Sequence, residues 1–203
     1  PSTPSALMTT KPRTEQLMDL ASTISDRGEH EAAITLLKLA IETAPPDARP
    51  RYLLGAEFAH MGMFDAAAHE MEAALSMDPG QHAARFQLGL LRLCGGKLES
   101  AQLVWSGLDV LGSDHALVQF KNGMLHLARD EFEQCLLCLR AGIAANECNP
   151  PLNADMQGVI DQAEALLNRN AIRPLAVSTD AGDAPADEGP GHLFIDAYTR
   201  RTH

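Results

Sequence analysis

A fixed spacing of glycine and alanine residues limits what this chain can fold into more than any other feature. Glycines recur at intervals of 34 residues, and alanines follow them in the same phase, at Gly28, Gly62, Gly96, Ala33, Ala67 and Ala101. The fullest copy of the pattern lies in residues 48–81 and reads Leu54, Gly55, Phe58, Gly62, Phe64, Ala67, Met71, Ala74, Leu75 and Pro79. Four copies keep this register without insertion or deletion, so we expect one structural unit repeated four times.

The repeated positions are those of a hairpin of two helices. Aromatic residues make up only 4% of the chain, and its many Ala and Leu residues favour helices over strands. The glycines fall where the first helix must end and the chain must turn, a position that favours a positive φ. Alanine lets the two helices cross closely, and Pro45 and Pro79 end second helices because proline lacks an amide donor.

This set of residues resembles the tetratricopeptide repeat, whose signature is Leu-Gly, an aromatic residue, Gly, an aromatic residue, Ala, a large residue, Ala and Pro. The resemblance implies an all-α fold, a right-handed α-solenoid of four helix-turn-helix repeats. We expect these repeats at 14–47, 48–81, 82–115 and 116–147. The fourth copy departs from the pattern, since the turn glycine, both alanines and the proline are replaced by Asp130, Cys135, Gly142 and Glu147.

The segments outside the repeats have different compositions. Residues 1–13 are expected to form a flexible N-terminal segment. In residues 152–169, Met156, Ile160, Ala163 and Leu167 fall on one helical face, which predicts a capping helix over the last repeat. Residues 170–203 predict a linker rich in Ala, Asp, Gly and Pro, followed by a short apolar C-terminal segment.

Charge and composition exclude several classes of protein. The formal net charge is -11 and no basic stripe is present, so we expect no nucleic-acid partner. No run of apolar residues approaches the roughly 18 needed to span a bilayer, so we expect no membrane insertion. Four cysteines in a chain with an ample apolar core are not the framework of a disulfide-rich secreted domain, and they favour a cytoplasmic protein.

The resemblance also implies where a ligand binds. In the tetratricopeptide-repeat family, the fifth, ninth and twelfth positions of each first helix project into a concave groove. In this sequence the apolar residues at those positions, proposed to line the groove, are Tyr52, Phe86, Leu90, Leu93, Phe120, Met124 and Leu127. Such a lining suits an apolar peptide or an amphipathic helix of another protein. The chain is therefore expected to be a protein-interaction scaffold or a chaperone-like adaptor, with a weak likeness to small bacterial secretion chaperones.

Two alternatives remain open at this point. A stripe of large apolar residues at helical spacing is also what an ordinary core requires. Polar residues at usually buried positions support that interpretation, because they indicate that these first helices turn their apolar side inward; they are Arg85, Arg92, Gln119, Asn122 and His126. The second alternative is a structural subunit of a larger complex, or a homodimer, that uses the same apolar surface as a permanent interface.

The C-terminal apolar segment suggests a self-docking tail. Its large residues are Leu193, Phe194, Ile195 and Tyr198. A linker of about 20 residues explores about 25 Å, at 5–6 Å times the square root of its length. We therefore expect that this tail can fold back into the groove or dock into a neighbouring subunit. A frayed end or a final capping turn is the alternative.

Enzyme and metal chemistry find little support in the sequence. Cys135 and Cys138 have a Cys-x-x-Cys spacing, but both fall inside a predicted helix, and Cys135 takes a small, buried repeat position. The histidines show no His-Glu-x-x-His spacing, and no phosphate-binding glycine loop is present. We expect no enzyme activity, no cofactor and no metal site.

Overall fold

The computed structural model describes residues 12–43 and 46–172, and this part of the chain is entirely helical apart from its turns. It confirms the all-α prediction. Nine α-helices and one short 3₁₀ turn lie in these ranges, and no strand does. The helices are α1 (Arg13–Ser25), α2 (His30–Thr43), α3 (Arg49–His60), α4 (Phe64–Met77), α5 (His82–Cys94), α6 (Leu98–Ser106), α7 (Ala116–Leu127), α8 (Phe132–Ala145) and α9 (Pro150–Ile172), with the 3₁₀ turn at Asp109–Leu111.

The chain divides into two compact units, and the first ends at Gln81. In this unit α1 packs on α2, α2 on α3 and α3 on α4. Apolar residues at the repeat positions fill its core, which holds Met18, Ala21, Ala33, Ile34, Leu37 and Leu54. The small residues Ala21 and Ala33 are almost fully buried, because the helices of the first hairpin approach each other closely at these positions.

The second unit begins at His82 and contains α5 to α9. Trp105 on α6 is fully buried, and its indole Nε1–H donates a hydrogen bond of 2.9 Å to the carbonyl oxygen of Phe86 on α5. The ring lies so close to α5 that a Cβ at Gly89 would stand 2.1 Å from Nε1. A glycine is therefore required where the tryptophan crosses the helix.

Helix α9 covers the last repeat of the second unit. It packs on α8, and its buried residues Leu152, Met156, Ile160 and Ala163 belong to the same apolar core as the repeats. The helix is longer than the predicted 152–169, since it begins at Pro150. Proline is tolerated in the first turn of a helix, where its missing amide has no intrahelical partner.

All four hairpins turn in the same way. The turn residues Gly28, Gly62 and Gly96 have φ values of 80°, 71° and 71°. In each hairpin the amide after the turn residue bonds back to the carbonyl five residues earlier, as in Glu29 to Ile24 at 3.2 Å. This is the helix-ending bond that favours a left-handed residue. The fourth hairpin makes the same bond although its turn residue is Asp130, with a φ of 59°.

Replacing Asp130 with glycine is expected to stabilise the second unit. An L-residue is strained at this φ and glycine is not, so the free energy of unfolding should rise by about 0.5–1 kcal/mol. Urea denaturation followed by circular dichroism measures the change. Asp114→Gly is the matched control, because Asp114 lies in an exposed turn without a positive φ. The free energy of unfolding of this variant should fall by up to about 1 kcal/mol. Equal losses in the two variants would contradict the assigned strain.

Candidate functional site

The structure buries six of the seven residues predicted to line a groove. Their exposed fractions are 1% for Phe86, 6% for Leu90, 4% for Leu93, 0% for Phe120, 1% for Met124 and 3% for Leu127. All six belong to the apolar core of the second unit. The expectation that these side chains form an exposed apolar lining is therefore wrong, and the alternative of an ordinary core is confirmed. Contact between these six residues and a ligand stays a prediction, and it would require this packing to open.

The buried rings of Phe86 and Phe120 pack on each other and on neighbouring helices of the second unit. The Phe86 ring stacks on Trp105 with centroids 5.9 Å apart, and it meets the Phe120 ring at 6.2 Å. Phe120 in turn lies against α8 at Gly142, where a Cβ would approach the ring to 2.4 Å. Gly142 replaces an alanine of the repeat pattern, so its missing methyl group makes the space that the Phe120 ring fills.

Tyr52 lies in the first unit and is only partly exposed. Burial raises the pKa of its phenol. Among the seven predicted groove residues, it is the one that the structure leaves partly exposed rather than buried. The proposed self-docking tail of Leu193, Phe194, Ile195 and Tyr198 lies outside the described residues and stays a prediction.

The Cys-x-x-Cys pair of α8 has the chemistry of core residues. Burial raises the pKa of Cys135 to about 12 and also raises that of Cys138. A reactive or metal-binding thiol has a lowered pKa, because the thiolate is the nucleophile and the ligand. Both thiols are therefore protonated near neutral pH.

Exposed apolar side chains of the second unit lie instead on its second helices and the adjoining turn. Leu103 on α6 is 76% exposed and Leu137 on α8 is 72% exposed, while Val110 in the 3₁₀ turn is 79% exposed. Leu103 and Leu137 occupy the same position in repeats 3 and 4, whereas the first two repeats hold Thr35 and His69 there. This pair lies outside the predicted groove, because all of the predicted groove residues belong to first helices. A comparison of the same position across repeats would have found it.

Carboxylates lie one helical turn before each exposed leucine. Glu99 precedes Leu103 and Glu133 precedes Leu137 by four residues, so each pair shares a helix face. Both carboxylates are exposed. The first two repeats also have an acidic residue at this position, in the first turn of the helix. A negative charge there interacts favourably with the positive end of the helix dipole. We call Leu103, Leu137, Glu99 and Glu133 the outer leucine face.

Comparisons with known proteins give structural matches only. No family model matches the sequence, and no curated protein matches it. A thermophilic TPR protein of Thermus thermophilus, TTC0263, is 16% identical and has a TM-score of 0.63, with 77% of this chain and 84% of that chain covered. The chain has the tetratricopeptide-repeat fold. MamA of Desulfovibrio magneticus RS-1, from residue 41 to its end, is 14% identical with a TM-score of 0.56, and the match covers 94% of this chain and 97% of that one.

Within this tetratricopeptide-repeat fold, the predicted and the observed surfaces lie on different helices. The seven predicted groove residues belong to first helices, and six of them hold the second unit together. The outer leucine face belongs to the second helices α6 and α8. The candidate interaction surface therefore lies on second helices, and not on first helices as the sequence predicted. In the described ranges, no helix combines the length and the apolar character needed to cross a bilayer.

Proposed function

We propose that this chain is a protein–protein interaction scaffold that binds an apolar, positively charged segment of a partner on its outer leucine face. The single observation that supports the proposal is the exposure of Leu103 and Leu137, at 76% and 72%, at the same position of successive repeats. Isolated apolar side chains are common on protein surfaces, but a pair repeated in register is a pattern that a partner helix can match.

The apolar part of the interaction supplies most of the affinity. Covering one exposed leucine side chain contributes about 1.5–3 kcal/mol. Covering both leucines of the face offsets part of the entropy that the partner loses on binding. We therefore expect a weak, reversible complex, which suits an adaptor better than a permanent assembly.

Charge selects the partner. Glu99 and Glu133 flank the leucines, and the whole chain carries a net charge of -11. A partner segment with lysine or arginine beside its apolar stripe forms ion pairs with these carboxylates. Exposed pairs of this kind contribute only about 0–1 kcal/mol each. Their main effects are faster association and rejection of acidic segments.

A chaperone-like role in the cytoplasm is part of this proposal. Shielding a short apolar segment of a partner requires the reversible contact described above. The structure contains four reduced cysteines and no disulfide among its described residues, which is compatible with a reducing compartment.

A peptide titration tests the proposal. The probe is a fluorescent amphipathic helix of leucine and lysine, and its anisotropy reports binding to the full chain. The double variant Leu103→Ser/Leu137→Ser should weaken binding at least about tenfold, because 1.4 kcal/mol of lost contact already corresponds to that factor. A leucine and glutamate peptide should bind more weakly than the lysine peptide to the wild type.

Control variants separate the outer leucine face from other surfaces. Leu20→Ser/Leu39→Ser removes leucines that are 48% and 37% exposed in the first unit and should leave affinity unchanged. Unchanged binding by Leu103→Ser/Leu137→Ser would contradict the proposal. If Tyr52→Ala alone abolished binding, the groove prediction would be favoured instead. A dimer that Leu103→Ser/Leu137→Ser converts to monomers would favour the structural-subunit alternative.

A further inference from the structure

Two positions of the first unit hold ionisable side chains where the third and fourth repeats have apolar residues. His30 begins α2 at the position taken by Phe64, Leu98 and Phe132 in the other repeats. Glu57 on α3 stands where the third and fourth repeats have Leu91 and Leu125. Both substitutions are costly in a packed hairpin, because a buried charge needs a partner. The structure brings the two residues together.

The contact between them forms part of a cluster of three metal-ligating side chains. His30 Nδ1 lies 2.9 Å from Glu57 Oε2, and Glu57 is only 7% exposed. His60, one turn after Glu57 on α3, is exposed at the rim, and its ring centroid is 5.6 Å from that of His30. One ligand atom from each of the three residues lies within 4.8 Å of the other two.

We propose that His30, Glu57 and His60 form a binding site for a divalent transition-metal ion, with Zn²⁺ as the ion of choice. Two imidazoles and one carboxylate are a donor set that zinc uses in open sites, where a water takes the fourth position. The same set suits cobalt and nickel, and it does not suit calcium or magnesium, which take oxygen ligands.

The geometry requires little rearrangement. Ligand atoms on a tetrahedral zinc ion with bonds of about 2.0–2.1 Å lie about 3.3 Å apart. His30 Nδ1 and Glu57 Oε2 therefore need to separate by only a few tenths of an ångström from their contact of 2.9 Å, and zinc takes the place of the hydrogen bond between them. His60 is free to rotate toward the ion because its side chain is at the surface. Bound zinc would link α2 to α3 within the first unit.

The metal site was not predicted from the sequence because these ligands do not form a local motif. His30 and Glu57 are 27 residues apart and come from different helices. Only Glu57 and His60 are close in sequence, and a Glu-x-x-His spacing on a helix is common without a metal. The repeat register carries the missing information, since it aligns His30 with apolar residues in the other repeats.

Calorimetric titration of the full chain with zinc chloride tests the site. The background variant is Cys148→Ser, because Cys148 is an exposed thiol that can bind zinc by itself. We expect one ion per chain, a higher melting temperature with zinc, and at least about a tenfold loss of affinity in His60→Ala. Even outer partners of metal ligands are worth 10–100-fold in affinity. His60 is exposed, so this variant keeps the fold.

The second unit offers a matched control. His126 contacts Glu131 there as a histidine–carboxylate pair, and no third ligand joins this pair within the described residues. His126→Ala should leave zinc affinity unchanged. Co²⁺ bound in place of zinc should give a visible spectrum without a thiolate charge-transfer band, and His30→Gln should remove that spectrum. The proposal is overturned if zinc does not bind saturably, or if His60→Ala and His30→Gln bind zinc as tightly as the background variant.

Discussion

Replacing Phe120 with alanine is expected to lower the free energy of unfolding of the second unit by about 3–5 kcal/mol, because the ring is fully buried and leaves a cavity. The ring meets Phe86 at 6.2 Å and lies against Gly142, so no neighbouring side chain fills the space without moving. Urea denaturation followed by the fluorescence of Trp105 measures the loss. Trp105 is the only tryptophan of the chain and belongs to the same core.

The control for Phe120 is an apolar residue that the structure leaves exposed. Val110 is 79% exposed, so Val110→Ala should change the free energy of unfolding by no more than about 0.5 kcal/mol. The opposite pattern would restore the groove interpretation of the first helices. In that case Phe120→Ala would leave the free energy of unfolding nearly unchanged and would abolish binding of the leucine and lysine peptide.

Trp105→Ala should have an effect of similar size on the same unit. It removes the largest buried side chain, and it leaves the Phe86 carbonyl oxygen without the hydrogen bond of 2.9 Å from the indole. We expect a loss of about 3–5 kcal/mol, measured by circular dichroism during urea denaturation. Trp105→Phe keeps most of the ring and loses the N–H donor, so it should cost about 1–3 kcal/mol. Losses below about 1 kcal/mol in both variants would contradict the packing of this ring on α5.

The repeat register predicted the helical hairpins and their turns from the sequence. Glycine or an equivalent residue is needed where each first helix ends, and the structure gives Gly28, Gly62, Gly96 and Asp130 positive φ values. The helix after the fourth repeat was predicted separately, from the spacing of its own apolar residues. These features depend on local sequence patterns, so a single sequence is sufficient to identify them.

The direction in which α5 and α7 face was harder to predict. It depends on contacts between helices, since Gly142 on α8 admits the Phe120 ring and Gly89 on α5 admits the Trp105 ring of α6. The family pattern gives each repeat position the role that it has in most repeats, and on that basis it assigns Phe86 and Phe120 to a groove. Pairing each large ring with the glycine that faces it requires the packing of the helices. Only the polar residues at usually buried positions of these helices signalled this rotation in advance.

The proposed surfaces depend on comparisons between repeats that the family pattern does not contain. Leu103 and Leu137 occupy the position that holds Thr35 and His69 in the first two repeats, and His30 occupies the position of Phe64 in the second repeat. Each of these differences between repeats is visible in the sequence. The exposure of the residue concerned and the side chains around it are not. The structure adds the exposure of the leucines and the 2.9 Å contact between His30 and Glu57.

Leucine methyl NMR spectra recorded with and without the leucine and lysine peptide distinguish binding on second helices from binding on first helices. We expect the methyl signals of Leu103 and Leu137 to shift at saturation, while those of the buried residues Leu90, Leu93 and Leu127 stay in place. Shifts at Leu90, Leu93 and Leu127, with Leu103 and Leu137 unaffected, would contradict it and place the partner among the first helices.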